Sequence, residues 1–105
     1  YLAAVAPPYE YVEIYANDGE LCAVTDAATL ACQADDPTQT RLRLREASGS
    51  LMFELGAPST GAWTTLATIA DPFALDTVSG EFGTATDVDM TGEPTPGSFT
   101  AYNEL

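Results

Sequence analysis

Residues 9–25 read YEYVEIYANDGELCAVT and contain the clearest hairpin pattern in this 105-residue chain. Val12 and Ile14 alternate with aromatic and acidic side chains, as in a β-strand whose successive side chains point to opposite faces. Asn17-Asp18-Gly19 then interrupts the alternation with residues that tolerate positive φ, which is typical of a tight turn between antiparallel strands. We therefore predict a hairpin whose second strand is Leu21–Thr25.

A second hairpin would bring together the two cysteines of the chain. A three-residue loop, Asp26-Ala27-Ala28, would set Cys22 opposite Cys32 and Val24 opposite Leu30. Directly opposed residues have Cβ atoms about 4.5–5.5 Å apart, close to the geometry that a disulfide needs. We therefore predict a structural disulfide, because the chain has too few Cys and no His for a metal site and lacks the close Cys pair typical of redox catalysis.

Further alternating runs follow along the chain, separated by turns rich in Gly, Pro, Ser and Asp. They span residues 38–46, 51–55, 62–69, 81–90 and 98–102, with one short helical turn near residues 73–76. Turn signals about every eight to twelve residues are typical of a sandwich or small barrel. We predict an all-β, antiparallel domain of about seven or eight strands over residues 9–105, since a chain of this length forms one core.

Residues 1–8, YLAAVAPP, form an uncharged segment that ends in a proline pair. Proline fixes φ and favours extended backbone, so we predict an extended N-terminal arm. Such an arm could add as a strand to the sheet edge of a neighbouring copy, with Leu2 and Val5 as subunit contacts. A frayed terminus or a linker remnant is the alternative.

All cationic side chains lie in one run, Arg41-Leu42-Arg43-Leu44-Arg45, in a chain with 16 acidic residues and a formal charge of -13. This acidity, which suits either a salty medium or an acidic secreted protein, disfavours nucleic acid and anionic membrane as partners. No run approaches the roughly 20 apolar residues of a membrane span.

Alternation places Arg41, Arg43 and Arg45 on one strand face, where they pair with carboxylates of the same sheet or of another copy.

Catalysis is disfavoured because the chain has no His and no Lys, which removes the commonest general base and the usual activators of a Ser or Thr nucleophile. We therefore predict that the protein is not an enzyme.

Asp87 and Asp89 project from one strand face and form a candidate Ca²⁺ site, because this ion prefers carboxylate oxygens. Alternating carboxylates on a solvent-exposed strand face are the alternative in so acidic a chain.

Aromatic residues form a second candidate binding surface. Tyr9, Tyr11 and Tyr15 share a strand face, and Trp63 begins a strand after a Gly- and Pro-containing loop. Such rings could stack on sugars while acidic side chains accept hydrogen bonds from hydroxyl groups. The alternative is that Trp63 lies in the core and the tyrosines pair across strands.

These observations favour assembly over catalysis. The chain begins with Tyr1 and contains two cysteines, so we interpret it as a mature protein of the extracellular space or of a cell or virion surface. We predict a structural subunit of an extracellular filament, sheath or virion-like shell, a homo-oligomer or polymer joined by strand addition and Arg–carboxylate contacts. The alternatives are a secreted glycan-binding β-sandwich module, assisted by Ca²⁺, and a domain of a larger adhesin.

Overall fold

A computed structural model describes residues 1–7, 10–74 and 79–82. Over these ranges the chain forms eight strands: β1 Leu2–Ala6, β2 Glu10–Asn17, β3 Glu20–Thr25, β4 Thr29–Ala34, β5 Arg41–Ala47, β6 Ser50–Ala57, β7 Ala62–Ala70 and β8 Ser79–Phe82. None of the described residues forms a helix that could cross a lipid bilayer. The strand predicted for residues 81–90 overlaps β8 at residues 81–82. The described residues do not include the rest of that strand, the predicted strand at 98–102 or the second half of the predicted helical turn.

The strands form two antiparallel sheets. The larger has the order β4-β3-β2-β1-β8 and the smaller has the order β5-β6-β7. One core lies between them and takes side chains from both: Val12, Ile14, Leu21, Ala23, Leu51, Phe53 and Leu55. The predicted all-β antiparallel fold is confirmed, and the two separate ladders that share this core correspond to a β-sandwich.

Strict alternation determines which side chains enter this core. Val12 and Ile14 of β2 and Phe53 and Leu55 of β6 are all 0% exposed. The residues between them point to the opposite faces of their sheets, since successive side chains of a strand alternate. Burial of such a side chain contributes roughly 1.5–3 kcal/mol to folding. The core therefore aligns the two sheets and fixes which residues line their outer faces.

Two tight turns need left-handed backbone, and the sequence supplies residues that tolerate it. Asp18 and Gly19, between β2 and β3, have φ of 50° and 81°. Ser48 and Gly49, between β5 and β6, have φ of 53° and 82°. Positive φ at both central positions characterises the type I′ hairpin turn, whose twist matches that of the flanking strands. The predicted turn at Asn17-Asp18-Gly19 is confirmed.

The hairpin of β3 and β4 differs from its predicted register by one residue near the turn. Thr25 N–H donates to the carbonyl of Ala28 at 2.8 Å, so the turn is one residue shorter than expected. Val24 consequently lies opposite Thr29, and a β-bulge at Leu30 restores the predicted register from Ala23 onwards. The Thr25 hydroxyl also accepts bonds from the N–H groups of Ala27 and Ala28. These local side-chain bonds favour the tighter turn.

The N-terminal segment is extended, as predicted, and forms strand β1 of its own sheet. Ala4 lies opposite Val12 of β2 and opposite Gly80 of β8. Ala3 and Ala6 are each only 5% exposed. Residues 7–9 alone connect β1 to β2. The segment is therefore an interior strand of the larger sheet, between β2 and β8.

Candidate functional site

The outer face of the smaller sheet gathers every cation of the chain. Because alternate residues of β6 enter the core, the register of the three strands places the other set on one outer surface. This set, which we call the arginine face, consists of Arg41, Arg43, Arg45, Met52, Glu54, Gly56, Trp63, Thr65 and Thr68. The predicted placement of three arginines on one strand face is consistent with this register.

Glu54 is buried at the centre of the arginine face, although it points away from the core. It is 3% exposed. Its Oε1 accepts hydrogen bonds from Nε of Arg43 at 3.0 Å and from Nε of Arg45 at 2.8 Å. Arg45 also reaches Oε2 through Nη2 at 3.4 Å. Two of the three arginines are therefore paired within their own sheet, which was one of the two arrangements expected from the sequence.

Electrostatics explain how an ionised carboxylate is retained there. Burial alone would raise the pKa of Glu54, but hydrogen bonds from Arg45 and Arg43, together with their positive charges, lower it below its ordinary value. The same contact raises the pKa of Arg45, chiefly through its hydrogen bond to Glu54. Glu54 was not predicted from the sequence as a partner of the arginines. Its signal was an acidic residue between Phe53 and Leu55, in register with Arg43 across a hairpin.

Trp63 lies on this face and not in the core. Its side chain is half-buried, and its six-membered ring lies across Gly56 of the neighbouring strand. The guanidinium carbon of Arg43 lies 3.9 Å from the ring centroid, a cation–π contact. Because Arg43 already stacks on the indole, a sugar could use this ring only by sharing it or by displacing the arginine.

Arg41 differs from the other two arginines. It is exposed and lies opposite Gly56. Its guanidinium makes no ion pair or hydrogen bond with any described residue. Three guanidinium groups and one carboxylate give the arginine face a formal charge of +2 in a chain of -13. The face is therefore a positively charged surface, and the cation at its edge has no partner within residues 1–7, 10–74 and 79–82.

The predicted tyrosine surface lies on the other sheet. Tyr11, Glu13 and Tyr15 are half-buried and line a shallow depression of about 460 Å³ together with residues 24–29. Asp26 Oδ1 accepts a bond from Tyr11 N–H at 3.4 Å at the rim. Tyr9 lies outside the described residues. Because Trp63 belongs to the smaller sheet, the tyrosines and the tryptophan do not form one site.

The predicted disulfide between Cys22 and Cys32 is present, with Cα atoms 4.1 Å apart. Cys22 is buried and Cys32 is exposed. Glu20 lies close enough for its carboxylate and the two sulfurs to lie within 4.8 Å of one another. The sulfurs are bonded to each other, so they offer no thiolate to a metal ion. Asp87 and Asp89 lie outside the described residues, and the Ca²⁺ site stays a prediction.

Comparison with known proteins adds no relative from which a role could be transferred. No family model matches the chain, and neither does any curated protein or solved structure. The role of this protein therefore has to be inferred from the placement and chemistry of its own residues.

Proposed function

We propose that this protein is a non-catalytic structural subunit of an extracellular filament, sheath or virion-like shell, whose copies join by exchanging strand β1. The observation that carries the proposal is the position of β1, an uncharged strand that pairs with both β2 and β8 and is joined to β2 by residues 7–9. A strand with these pairings can be replaced by β1 of a neighbouring copy, which rebuilds the same two ladders.

The composition of β1 suits such an exchange. Residues Leu2–Ala6 carry no charge, so the strand can enter another acidic copy without bringing an acidic side chain with it. Its side chains are mostly small, and its buried positions are the alanines Ala3 and Ala6. Strand addition of this kind gains its affinity from main-chain hydrogen bonds and its register from such side-chain positions.

The connection between β1 and β2 favours an open arrangement. It consists of residues 7–9 and begins with Pro7-Pro8. Proline fixes a negative φ and so cannot occupy the positive-φ positions of a type I′ hairpin turn, and short hinge loops can promote strand exchange between copies. A copy that donates β1 to one neighbour and accepts it from another makes a head-to-tail contact. Such contacts produce filaments when the rotation does not close a ring.

The remaining features agree with an extracellular assembly. The Cys22–Cys32 disulfide is of a kind that persists in oxidising environments. The sandwich has no His or Lys with which to build the usual general base or covalent nucleophile. These observations support a structural role at a cell or virion surface, or in the extracellular space.

The decisive experiment separates the donated strand from its acceptor. Residues 1–8 are deleted, and the truncated protein is titrated with a synthetic peptide of residues 1–8. We expect the full chain to form large species in light scattering and the truncated chain to be monomeric and less stable. The peptide should bind the truncated chain and restore its melting temperature.

A peptide carrying Ala4→Asp is the matched control. Ala4 packs against the core, so a carboxylate there should abolish binding. β1 exchange would be excluded if the full-length protein stayed monomeric at every concentration and the truncated form did not bind the wild-type peptide.

A second candidate function, glycan binding, is favoured by the depression at Tyr11 and Tyr15. Two half-buried aromatic side chains flank Glu13, which is a fitting hydrogen-bond acceptor for sugar hydroxyl groups. A glycan array should then give hits that disappear with Tyr15→Ala and persist with Trp63→Ala. Loss of the same hits in EDTA would support the Ca²⁺-dependent form of this candidate.

A further inference from the structure

We infer that the arginine face is a docking surface for carboxylates of a second copy of this chain, with Arg41 as its principal contact. This inference rests on the proposed assembly and names a contact other than β1 exchange. The side chains concerned lie on the outer face of the smaller sheet. The described pairings of β1 are with β2 and β8, which belong to the larger sheet.

The distribution of charge restricts how two copies can approach. All three cations lie on the arginine face, and Glu54 is the only acidic residue placed there by the described strand registers. The chain carries 16 acidic residues, so most other contacts between copies would oppose carboxylate to carboxylate. Complementary surface potentials favour correctly oriented encounter, and like-charge contacts disfavour the others.

The ion pairs with Glu54 leave most arginine donors unused. Arg43 gives Glu54 only its Nε–H and keeps a side chain that is 33% exposed. Arg45 keeps a side chain that is 43% exposed. A guanidinium has five N–H donors and can bind a second carboxylate from the solvent side. The buried carboxylate therefore orders two guanidinium groups beside Arg41 and neutralises only one of their two charges.

The complementary surface on the second copy is an acidic end formed by Asp18, Glu20 and Asp35. The N–H of Asp35 donates to the carbonyl of Gly19 at 2.8 Å, which brings the β4–β5 connection against the β2–β3 turn. All three carboxylates are exposed, and none accepts a hydrogen bond or ion pair from the described residues. No contact within the described part of the chain therefore competes with a guanidinium group of another molecule for them.

A second copy fits this surface better than a free anion. The net charge of -13 repels a dissolved polyanion and a free second copy alike, and three guanidinium groups do not reverse that repulsion. A copy already joined by an exchanged strand is held at high effective concentration, so a weak ionic contact becomes occupied. The face therefore acts as the secondary contact of an assembly whose primary contact is the strand.

The test compares two full-length variants with the same change in net charge. Arg41→Gln removes the cation that has no partner among the described residues, and Thr29→Glu adds one negative charge at an exposed position of β4 in the other sheet. Self-association is measured by sedimentation velocity over a range of NaCl concentrations. We expect Arg41→Gln to weaken association about tenfold at low salt, with the difference vanishing at high salt, and Thr29→Glu to have a clearly smaller effect. Equal behaviour of the two variants would overturn the inference.

A charge swap then tests the partner surface. Arg41→Glu and Asp35→Arg proteins are studied separately and as an equimolar mixture. Recovery of association in the mixture supports docking on the acidic end, and absence of recovery overturns that assignment. Polygalacturonate is the probe for the competing occupant, since Arg41-dependent binding of it by a protein that stays monomeric would overturn the choice of a second copy.

These results are separable from those of β1 exchange. Arg41→Gln should leave binding of the residue 1–8 peptide by the truncated chain unchanged. If the peptide fails to bind and self-association still depends on Arg41, β1 exchange is excluded and docking at the arginine face is supported.

Discussion

The indole of Trp63 lies so close over Gly56 that residue 56 has no room for a side chain. A Cβ built there would lie 2.8 Å from Cζ3 of the ring, well inside van der Waals contact. The ring in turn lies against the guanidinium of Arg43, whose Nε binds Glu54. The absence of a side chain at position 56 therefore sets the position of the aromatic ring and supports the arginine that stacks on it.

Gly56→Ala should destabilise the protein by about 1–3 kcal/mol, because the ring or the strand must move to accept the added methyl group. Trp63 is the one tryptophan of the chain, so its fluorescence reports the displacement directly. Urea denaturation followed by this signal and by circular dichroism gives the free energy of unfolding.

The control for that substitution is the double variant Gly56→Ala/Trp63→Ala. Removing the ring removes the clash, so the alanine at position 56 should cost much less in the Trp63→Ala background. An equal cost in both backgrounds would show that the backbone of the strand, and not the indole, requires glycine.

Glu54→Gln should destabilise the protein by about 2 kcal/mol. The variant keeps the shape of the side chain but leaves Arg43 and Arg45 without an anion, at a site where the carboxylate is 3% exposed. We expect less than the roughly 3–5 kcal/mol of a fully buried pair, since both arginines keep contact with water. Chemical denaturation at neutral pH measures the effect, and Glu10→Gln, at an exposed residue of β2, is the matched control.

The Glu54 contact should be lost on acidification. Its pKa is lowered in the folded protein, so the contact contributes stability above the ordinary value of 4.5 and loses it as the pH falls through the folded pKa. The stability difference between the wild type and Glu54→Gln should therefore be constant at neutral pH and shrink below about pH 4.5. A difference that stays constant down to pH 2 would contradict this assignment.

That comparison also isolates Glu54 from other carboxyl groups. The pKa of Asp36 is lowered by hydrogen bonds from the Thr38 hydroxyl and backbone N–H, so it acts in the same direction. The pKa of Asp71 is raised by desolvation and by neighbouring Glu46, so its protonation favours the folded state as the pH falls. Both contributions are present in the wild type and in Glu54→Gln, and they cancel in the difference.

Reduction of the disulfide should cost about 3 kcal/mol, since Cys22 and Cys32 close a short loop in the unfolded chain. Thermal unfolding with and without a phosphine reductant measures this contribution. The variant Cys22→Ala/Cys32→Ala should match the reduced wild type and show no response to reductant. A reductant-sensitive melting temperature in that variant would place the effect elsewhere.

Ser48→Asn should stabilise the β5–β6 turn by about 0.5 kcal/mol. Ser48 has φ of 53°, a conformation that asparagine adopts more readily than serine. Ser59→Asn, at an exposed position of the β6–β7 connection, is the control and should have no measurable effect. An equal change in both variants would mean that side-chain amide groups, and not backbone conformation, are responsible.

Local patterns were sufficient for several features of this protein. Asn17-Asp18-Gly19 predicted its turn because the residues that tolerate left-handed backbone are few. The cysteines could be paired because a hairpin places partners at fixed separations. The register failed only near the turn, where the hydroxyl of Thr25 binds two backbone N–H groups and shortens the loop by one residue. Such competition between side-chain and main-chain bonds is not encoded by alternation.

The partners of the arginines could be identified only from the tertiary structure. Alternation placed Arg41, Arg43 and Arg45 on one face, but equally allowed pairing within the sheet or with another copy. Only the pairing of β5 with β6 brings Glu54 beneath two guanidinium groups and leaves Arg41 without a described partner. The sequence likewise left Trp63 either in the core or on a binding surface, and only its position opposite Gly56 places it on the outer face.

The composition and periodicity of this chain fix an acidic, all-β, disulfide-containing domain, because alternation, turn residues and charge are properties of neighbours in the chain. The pairing of the strands into sheets determined the features that the sequence left open. It determined that the N-terminal segment lies between β2 and β8, and that the buried carboxylate of Glu54, on the outer face of the smaller sheet, has a lowered pKa. Both depend on contacts between residues distant in sequence, whose strength comes from shared burial and not from any local pattern.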